Sequence, residues 1–379
     1  MKDRIINLLI IIACLARFLA FGKANKLANR LNSILVIQMA KLGDMVCTTP
    51  MFRAIKDKYP NCEVWVLGND ANKELLNYNK DIDGYIVYSQ NTKEVINLIK
   101  EKKFNFACVT GPNFAALATL VLSGIKLIAA PRIENGISPY ETISYKILSK
   151  FVTTKPHHMG SYAPREYLRL LEPIGIFTDD TKKHLAFPKN AEQRAEEILK
   201  PFAGKFIIGI APAAGNKIKE WPTKRFAEVA NYAAQKHNAV IVIIGGGNDL
   251  GYAEKMKKCL LVDASIIDTA GKLSIDELKA LISKLNLFIS VDTGPIYIAE
   301  ALNIPTINIT GPIDEREQPP MGQLHLVVTP PSREKPELFV MNARVYNTKE
   351  ARRQIDSITA DMVKDELDVL IDLVNKNNK

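Results

Sequence analysis

Short apolar runs alternate with helical patterns of apolar residues along most of the chain. In the first half, 34–38, 63–67, 85–88, 106–110 and 126–130 predict buried strands, and 49–58, 94–102 and 113–122 predict helices. Pro50 suits the first turn of the helix over 49–58. Strands that alternate with helices usually form a parallel sheet covered on both faces, so this half predicts an α/β domain.

A second alternation of the same kind begins after 131–189, a stretch rich in proline that indicates a connection between domains. Strands are predicted at 206–210, 240–244, 265–268, 287–291 and 306–310, and helices at 223–236, 252–257, 275–284, 296–302 and 358–374. We therefore expect an apolar N-terminal segment (1–30), two Rossmann-like domains (31–180 and 181–350) and a C-terminal helix (351–379) that packs back on the first domain.

Composition and charge restrict the class of protein. A chain of 379 residues with 47% hydrophobic side chains can bury two cores, which excludes a largely disordered protein. The formal net charge of +9 suits an anionic substrate or a membrane surface, but the chain has no Lys/Arg block typical of nucleic-acid-binding arms. We expect no nucleic-acid partner. Five widely spaced cysteines argue against a zinc cage or a disulfide framework and favour a reducing cytoplasm.

Residues 5–21 form an apolar segment that is interrupted by Asn7 and Arg17. A helix of this length extends about 25 Å, short of a hydrocarbon core of ~30 Å, so a membrane span is a marginal alternative. A signal peptide is another, but no clear cleavage site follows. We favour a cytoplasmic anchor helix that lies in the inner leaflet, which makes the inner membrane surface an expected partner.

The first candidate for catalysis is Asp44, which follows the first predicted strand. Gly43 permits a tight turn there, so the carboxylate is expected at the carboxyl edge of the sheet just ahead of a helix. Thr48 and Thr49 add hydroxyl groups on this acceptor side. Asp44 can then serve as a general base, although an acid at this position can also be an ordinary helix cap.

The second candidate is the loop after the strand over 206–210. Its small residues Ala213 and Ala214 let the backbone approach a ligand. Lys217 or Lys219 can pair with a phosphate as a mobile point charge, but either lysine alone is equally compatible with a solvent-facing loop.

The third candidate is the turn Asp292, Thr293 and Gly294, which joins a predicted strand to a predicted helix. Amides at the start of that helix can hold a diphosphate, and the carboxylate of Asp292 can bind a sugar or ribose hydroxyl. A capped helix with a turn glycine explains the same pattern.

A glycine-rich turn over 245–251 supplies a rival hypothesis, because it also follows a strand and opens a helix. It is similar to a dinucleotide fingerprint, which points to a nicotinamide-dependent oxidoreductase. Its glycine spacing is one residue too long, and an oxidoreductase gives Asp44, Lys219 and Asp292 no shared task. A non-catalytic protein that binds sugar nucleotides is a further alternative.

Taken in order, three motifs resemble glycosyltransferase family 9, the lipopolysaccharide heptosyltransferase family. They are the first strand with Leu42-Gly43-Asp44 and Thr48-Thr49-Pro50, the loop with Lys219-Glu220-Trp221-Pro222, and Val291-Asp292-Thr293-Gly294-Pro295. The resemblance runs from about residue 33 to the last helix. It implies a GT-B fold, with two Rossmann-like domains whose sheets face an interdomain cleft.

The resemblance also implies a reaction. A heptose or related sugar moves with inversion from a nucleotide diphosphate sugar, such as ADP-heptose, to a lipopolysaccharide core or similar glycolipid, without metal or cofactor. By this resemblance the first domain binds the acceptor and the second binds the donor. Asp44 takes the proton of the acceptor hydroxyl, and Lys219 with the amides of Thr293 and Gly294 stabilises the departing diphosphate.

Two departures from the family pattern, at three positions, lie near the expected diphosphate. Tyr297 stands where family members commonly carry histidine, and Ala213 and Ala214 stand where hydroxyl residues are common. We expect Tyr297 to contact the donor through one neutral hydrogen bond.

Overall fold

The structure, a computed structural model, describes residues 2–21, 31–89, 91–261, 265–344 and 346–377. The chain forms two compact units. The first comprises Met1–Lys73, Asn79–Lys183 and Val340–Val345, and the second comprises Glu74–Tyr78, His184–Phe339 and Tyr346–Lys379. Within the described residues each unit has a six-stranded parallel sheet with helices, which confirms the predicted pair of Rossmann-like α/β domains.

The sheet of the first unit has the strand order β3-β2-β1-β4-β5-β6. The strands are β1 (Ser33–Ile37), β2 (Glu63–Gly68), β3 (Gly84–Val87), β4 (Phe106–Val109), β5 (Leu127–Glu134) and β6 (Thr153–His158). The helices are α1 (Lys2–Phe21), α2 (Leu42–Lys58), α3 (Asp70–Leu76), which continues into the second unit, α4 (Thr92–Lys102), α5 (Phe114–Leu122), α6 (Ile143–Ser149) and α7 (Ala163–Leu168). The strand order reverses between β1 and β4, so a crevice is expected at their carboxyl ends.

The sheet of the second unit has the order β12-β11-β10-β7-β8-β9. The strands are β7 (Ile207–Ala211), β8 (Val240–Ile243), β9 (Ile266–Asp268), β10 (Leu287–Val291), β11 (Thr306–Ile309) and β12 (His325–Val328). The helices are α8 (Lys189–Leu199), α9 (Thr223–His237), α10 (Leu250–Lys257), α11 (Ile275–Ser283), α12 (Gly294–Ala301), α13 (Thr348–Ser357) and α14 (Ala360–Asn377). Here the order reverses between β7 and β10, whose ends carry the second and third candidate motifs.

The proline-rich stretch 131–189 is more regular than its sequence indicates. It contains β6, α6 and α7, so the expectation of a mere connection between domains is wrong. Pro156 is tolerated because β6 pairs only with β5 at the edge of the sheet, where a missing N–H does not break an inner ladder.

Helix α2 begins at Leu42 and not at Thr49, so Pro50 lies inside it. Proline has no N–H for the carbonyl four residues earlier, which belongs to Val46. The hydroxyl of Thr49 donates to that carbonyl oxygen at 2.8 Å and replaces the missing bond. Because the hydroxyl of Thr49 takes over this hydrogen bond, the helix can extend back to the end of β1. Asp44 therefore lies in the first turn of α2 rather than ahead of it.

The C-terminal helices pack within the second unit, so the prediction that the last helix returns to the first domain is wrong. The apolar face of α14, with Val363, Leu367 and Leu370, joins the core formed by β7, β10 and α9. The indole N–H of Trp221 donates to the carbonyl oxygen of Ile358 at 2.8 Å, just before α14. An apolar stripe identifies a packed helix but not the domain that receives it.

The N-terminal helix α1 packs against α5 and α6 and buries Ile11 and Cys14 in the first unit. Among the described residues, no helix combines the length and apolar content needed to cross a bilayer. Residues 22–30 of the predicted N-terminal segment lie outside the described residues. Helix α1 therefore contributes to the core of the first unit, and its role as an anchor helix stays a prediction.

Candidate active site

Asp44 lies in the first turn of α2 at the carboxyl end of β1, and its side chain is half-buried. The turn that carries it is fixed by Gln38, whose side-chain amide donates to the hydroxyl oxygen of Thr48 at 3.0 Å. That hydroxyl in turn donates to the carbonyl oxygen of Asp44 at 2.7 Å. The backbone of the candidate base is therefore held by two buried polar side chains.

A cavity of about 370 Å³ opens beside Asp44 at the β1/β4 crevice. Its lining includes Gln38 and Lys41 after β1, Gly111 and Asn113 after β4, and Tyr140, Tyr167, Met341 and Arg344. A carboxylate at the wall of a cavity of this size can accept a proton from a bound hydroxyl group. Asp44 thus combines both features expected of a general base: a defined position and access to a ligand.

The predicted acceptor-side residues Gly43, Thr48 and Thr49 are all buried in α2. The hydroxyl of Thr48 bonds to the carbonyl of Asp44, and that of Thr49 bonds to the carbonyl of Val46. Their hydroxyl groups stabilise the helix that presents Asp44. The assignment of these residues to the acceptor side stays a prediction, in which they act by holding the turn that carries Asp44.

The segment 340–344 is a part of the cavity that the sequence did not predict. It belongs to the first unit although it follows the last strand of the second. Met341 lies against Gly111, and the guanidinium carbon of Arg344 lies 5.2 Å from the ring centre of Tyr140. Arg344 therefore brings a positive charge to the cavity. The segment has no periodicity or glycine motif that marks it as part of a site.

In the second unit, Lys219 and Asp292 form an ion pair with an N–O distance of 2.7 Å. Asp292 follows β10, and Lys219 ends a short 3₁₀ turn after β7, so the pair lies at the β7/β10 crevice. Tyr297 is buried, and its hydroxyl donates to the other carboxylate oxygen of Asp292. The structure brings these three predicted residues together, with Asp292 contacted by both Lys219 and Tyr297.

The loop that carries Lys219 is fixed from both sides. Ala213 is buried and Ala214 packs against the apolar core. Arg352 of α13 donates to the carbonyl oxygens of Lys217 at 3.0 Å and of Glu220 at 3.1 Å. The guanidinium group spans the turn that holds Lys219, which makes Arg352 a positioning residue that the sequence pattern did not reveal.

Thr293 and Gly294 form the start of α12, where Thr293 is the N-cap and Pro295 occupies the first turn. Amides in the first turn of a helix have no acceptor within the helix and carry the positive end of its dipole. Pro295 has no N–H, and the amide of Ile296 donates to the carbonyl oxygen of Thr293 at 3.1 Å, so the predicted pair of amides, those of Thr293 and Gly294, stays the candidate beside Asp292. An anion bound here gains both the amides and the Lys219 cation.

Hydrogen bonds to Asp249 within the turn, and between Tyr252 and Glu220 beside it, hold the glycine turn over 245–251. The amide of Gly246 donates to Asp249 Oδ2 at 2.8 Å. The hydroxyl of Tyr252 donates to Glu220, and this bond raises the pKa of Tyr252 to about 12. These contacts explain the turn as a strand-to-helix connection, and nothing in its geometry favours the oxidoreductase alternative. Elsewhere in the described part of the chain, no cluster of three His, Cys, Asp or Glu side chains is arranged to hold a metal.

His157 on β6 lies behind the cavity wall, with its ring centre 6.3 Å from that of Tyr167. Burial lowers the pKa of His157 to about 4, with smaller effects from His158 and Arg169. In the described structure its Nε2 atom has no hydrogen-bond partner. The imidazole is therefore neutral in the folded protein at neutral pH.

Acidification is expected to destabilise the first unit through His157. The unfolded chain binds a proton near pH 6.5, whereas the folded protein resists protonation until about pH 4. The free energy of unfolding therefore falls between these values, by up to about 3 kcal/mol from this group. Urea unfolding at pH 7 and pH 4.5 measures the loss. The variant His157→Gln should show a smaller loss, and an equal loss in both proteins would contradict the assignment.

A protein-family model, described as glycosyltransferase family 9 (heptosyltransferase), matches residues 146–345. The chain is 26% identical over 285 residues to lipopolysaccharide heptosyltransferase 3 of Escherichia coli K12, which covers 72% of this chain and 80% of that protein. It is 26% identical over 307 residues to the lipopolysaccharide core heptosyltransferase OpsX of Haemophilus influenzae, with coverage of 78% and 84%. The matched residues include Lys219, Asp292 and Tyr297.

Two solved structures have the same architecture. The ADP-heptose lipopolysaccharide heptosyltransferase II of Escherichia coli has a TM-score of 0.73 at 19% identity, covering 92% of this chain and 100% of that one. The Escherichia coli heptosyltransferase WaaC, solved with ADP-2-deoxy-2-fluoro heptose, has a TM-score of 0.64 at 15% identity, with coverage of 89% and 99%. This likeness establishes the GT-B fold. Together with the family match it confirms the resemblance drawn from the motifs: the chain is a glycosyltransferase and belongs to family 9, the heptosyltransferase family.

Proposed function

We propose that this glycosyltransferase moves a heptose from ADP-heptose to a lipopolysaccharide core or similar glycolipid. The observation that carries the proposal is the Lys219–Asp292 pair beside the start of α12, because it offers a cation, a carboxylate and an amide to one diphosphate sugar. The relatives that transfer heptose to lipopolysaccharide support the choice of sugar and acceptor. The cavity beside Asp44 supports the first unit as the acceptor-binding domain.

In the proposed reaction an acceptor hydroxyl attacks the anomeric carbon of the donor sugar. Asp44 takes the hydroxyl proton, a new carbon–oxygen bond forms, and the bond from the anomeric carbon to the diphosphate oxygen breaks. Attack on the face opposite the leaving group inverts the anomeric configuration. The nucleoside diphosphate leaves with the electron pair, and Lys219 with the amide of Gly294 stabilises the added negative charge.

In this proposal, protein groups stabilise the negative charge of the leaving group, and no metal ion or other cofactor is needed. Lys219 supplies a full positive charge, and the amino end of α12 adds a partial one. In the described structure Asp292 holds the Lys219 ammonium group in place by an ion pair. When the donor binds, the diphosphate competes for this ammonium group, and Asp292 becomes available to a sugar hydroxyl.

Tyr297 fixes Asp292 in this arrangement, so its replacement should weaken donor binding. The variant Tyr297→Phe removes one hydrogen bond from the carboxylate while keeping the buried ring. A net hydrogen bond contributes about 0.5 to 1.5 kcal/mol, which corresponds to roughly a 2- to 13-fold loss of donor affinity. Calorimetric titration of ADP-heptose measures this change.

The variant Tyr297→His serves as a comparison. An imidazole beside Asp292 and two phosphates is expected to titrate between about pH 6 and 8, so donor affinity should acquire a pH dependence that the parent lacks. Equal affinities of the parent and both variants across this pH range would leave Tyr297 as a packing residue only.

A panel of ADP-, UDP- and GDP-linked sugars tests the donor. The true donor raises the melting temperature of the protein because ligand binding stabilises the folded state by mass action. Product analysis by mass spectrometry with a core oligosaccharide acceptor then tests transfer. Stabilisation by a UDP- or GDP-sugar alone would reject ADP-heptose, and binding without turnover would favour a non-catalytic sugar-nucleotide-binding protein.

A glycolipid acceptor places the reaction at a membrane. We expect the protein to work in the cytoplasm as a peripheral protein on the inner face of the cytoplasmic membrane, where nucleotide sugars and lipid-linked acceptors meet. The apolar helix α1 supports this location.

A further inference from the structure

Helix α1 is apolar on both of its sides. Toward the first unit it buries Ile11 and Cys14. On the opposite side Ile5, Leu8, Leu9, Ile12 and Leu19 are each more than half exposed. Arg17 is the only charged residue between positions 5 and 21. A helix that is apolar all round is normally covered on all sides by protein or lipid, so its exposed side calls for an occupant.

This exposed side is held in place by the fold and is not part of a loose tail. The ring of Phe18 stacks on that of Phe151, with centres 5.4 Å apart and planes inclined by 27°. Phe151 follows α6, and α1 packs along both α5 and α6. The apolar surface of α1 therefore has a fixed orientation on the first unit.

Helix α6 carries a second set of exposed apolar residues next to α1. Tyr145 and Leu148 turn into the core, whereas Ile143 is 79% exposed and Ile147 lies one helical turn further along. Lys146 of α6 and Lys150, which caps its C-terminal end, are exposed, and Lys146 also pairs with Glu141 at 3.3 Å. Isoleucines and lysines that share the solvent side of a helix are typical of segments that lie in a membrane interface.

We propose that these two helices form one docking face for the surface of an anionic phospholipid bilayer. The α1–α6 face consists of Ile5, Leu8, Leu9, Ile12 and Leu19 of α1, Ile143, Lys146 and Ile147 of α6, and Lys150 at the C-terminal cap of α6. The apolar side chains enter the boundary between headgroups and acyl chains, and the lysines contact lipid phosphates. The proposal rests on the proposed function only in that a lipid-linked acceptor requires the enzyme at a membrane.

Charge favours a bilayer over a second copy of the chain as the occupant. Lys146 and Lys150 accompany the apolar residues of α6, and in the sequence Lys2 and Arg4 outnumber Asp3 at the start of α1 while Lys23, Lys26 and Arg30 follow it. Two copies that joined through this face would bring like charges together. An anionic bilayer complements them, and each lysine or arginine near such a surface adds to the attraction.

Vesicle flotation of the full-length protein tests the α1–α6 face. Deletion of α1 would expose the core around Cys14, so substitutions on α6 are the better probe. With vesicles of phosphatidylethanolamine and phosphatidylglycerol, the double variant Ile143→Ser/Ile147→Ser should partition about tenfold or more weakly than the parent. The variant Phe177→Ser/Val369→Ser removes two exposed apolar residues elsewhere and should float like the parent.

The lysines are tested by a change of lipid charge. The variant Lys146→Gln/Lys150→Gln should lose about tenfold in partitioning to anionic vesicles and change little with zwitterionic phosphatidylcholine vesicles. Equal flotation of the parent and both α6 variants would overturn the proposal. So would a dimer of the parent in lipid-free buffer, seen by light scattering, that the isoleucine substitutions dissociate.

Transfer to a water-soluble core oligosaccharide separates this proposal from the proposed function. The α6 variants should transfer sugar to this acceptor at the parental rate, because none of their residues belongs to the candidate active site. If the parent floats with vesicles but transfers no sugar, the proposed function fails and the docking face stands. If the parent transfers sugar but does not float, the docking face fails alone.

Discussion

Replacement of Asp44 by asparagine is expected to lower turnover by about 10²- to 10⁴-fold, the usual cost of losing a general base. Asparagine has the same shape but cannot accept the hydroxyl proton. The hydrogen bonds from Gln38 and Thr48 hold the backbone of this turn and do not depend on the carboxylate. Donor affinity and melting temperature should therefore remain close to the parental values. Steady-state kinetics with a core oligosaccharide acceptor measures the change in turnover.

Asp70→Asn is the matched control for this variant. Asp70 is an exposed acid in the first turn of α3, so it resembles Asp44 in its helical position but does not line the cavity. Acids at helix starts contribute about 0.3 to 1 kcal/mol to stability through the helix dipole. If both variants lose only such a small amount of stability and transfer sugar within a few-fold of the parent, Asp44 is a helix-stabilising residue and not a base.

Replacement of Lys219 by alanine should reduce both donor affinity and turnover, with a loss in turnover of about 10²- to 10³-fold. The ammonium group binds the diphosphate in the ground state. Its electrostatic stabilisation becomes stronger in the transition state, because negative charge grows on the leaving group. The variant also leaves Asp292 without its cation, which adds repulsion between its carboxylate and the donor. Kinetics and calorimetric titration of ADP-heptose separate the two losses.

Lys217→Ala is the matched control, because Lys217 lies in the same 3₁₀ turn but is exposed. Its contact with Arg352 uses the backbone carbonyl, which alanine retains.

Magnesium should not rescue Lys219→Ala, and EDTA should not inhibit the parent. Loss of parental activity in EDTA, with recovery on adding a divalent cation, would show that a metal supplies the charge instead.

Short-range patterns in the sequence predict much of the fold and three of the candidate site residues, Asp44, Lys219 and Asp292. Apolar runs such as 34–38 and 287–291 mark strands because both faces of a central parallel strand are buried. Asp44, Lys219 and Asp292 stand at the ends of such strands, where α/β folds bind ligands, so their importance was predictable. Their exact partners were not, since the Lys219–Asp292 ion pair joins residues 73 positions apart.

The errors have specific physical causes. Pro50 predicts a helix start, but the hydroxyl of Thr49 replaces the bond that proline removes, so the helix starts earlier. The burial of Tyr297 depends on how α12 packs, so its hydrogen bond to Asp292 could not be predicted from the sequence. Arg352 acts on two carbonyl oxygens, and a sequence gives no sign of which backbone atoms an arginine will reach.

The return of the chain at 340–344 to the first unit has a consequence for engineering hybrid enzymes. A chimera made by joining residues 1–183 of this protein to the second half of a relative would carry the relative's version of Met341 and Arg344 in the cavity beside Asp44, the proposed acceptor site. Its acceptor preference would then be mixed even though the crossover leaves both sheets intact. If this cavity binds the acceptor, as proposed, a clean exchange of acceptor specificity needs three junctions, one near residue 183 and one at each end of 340–344.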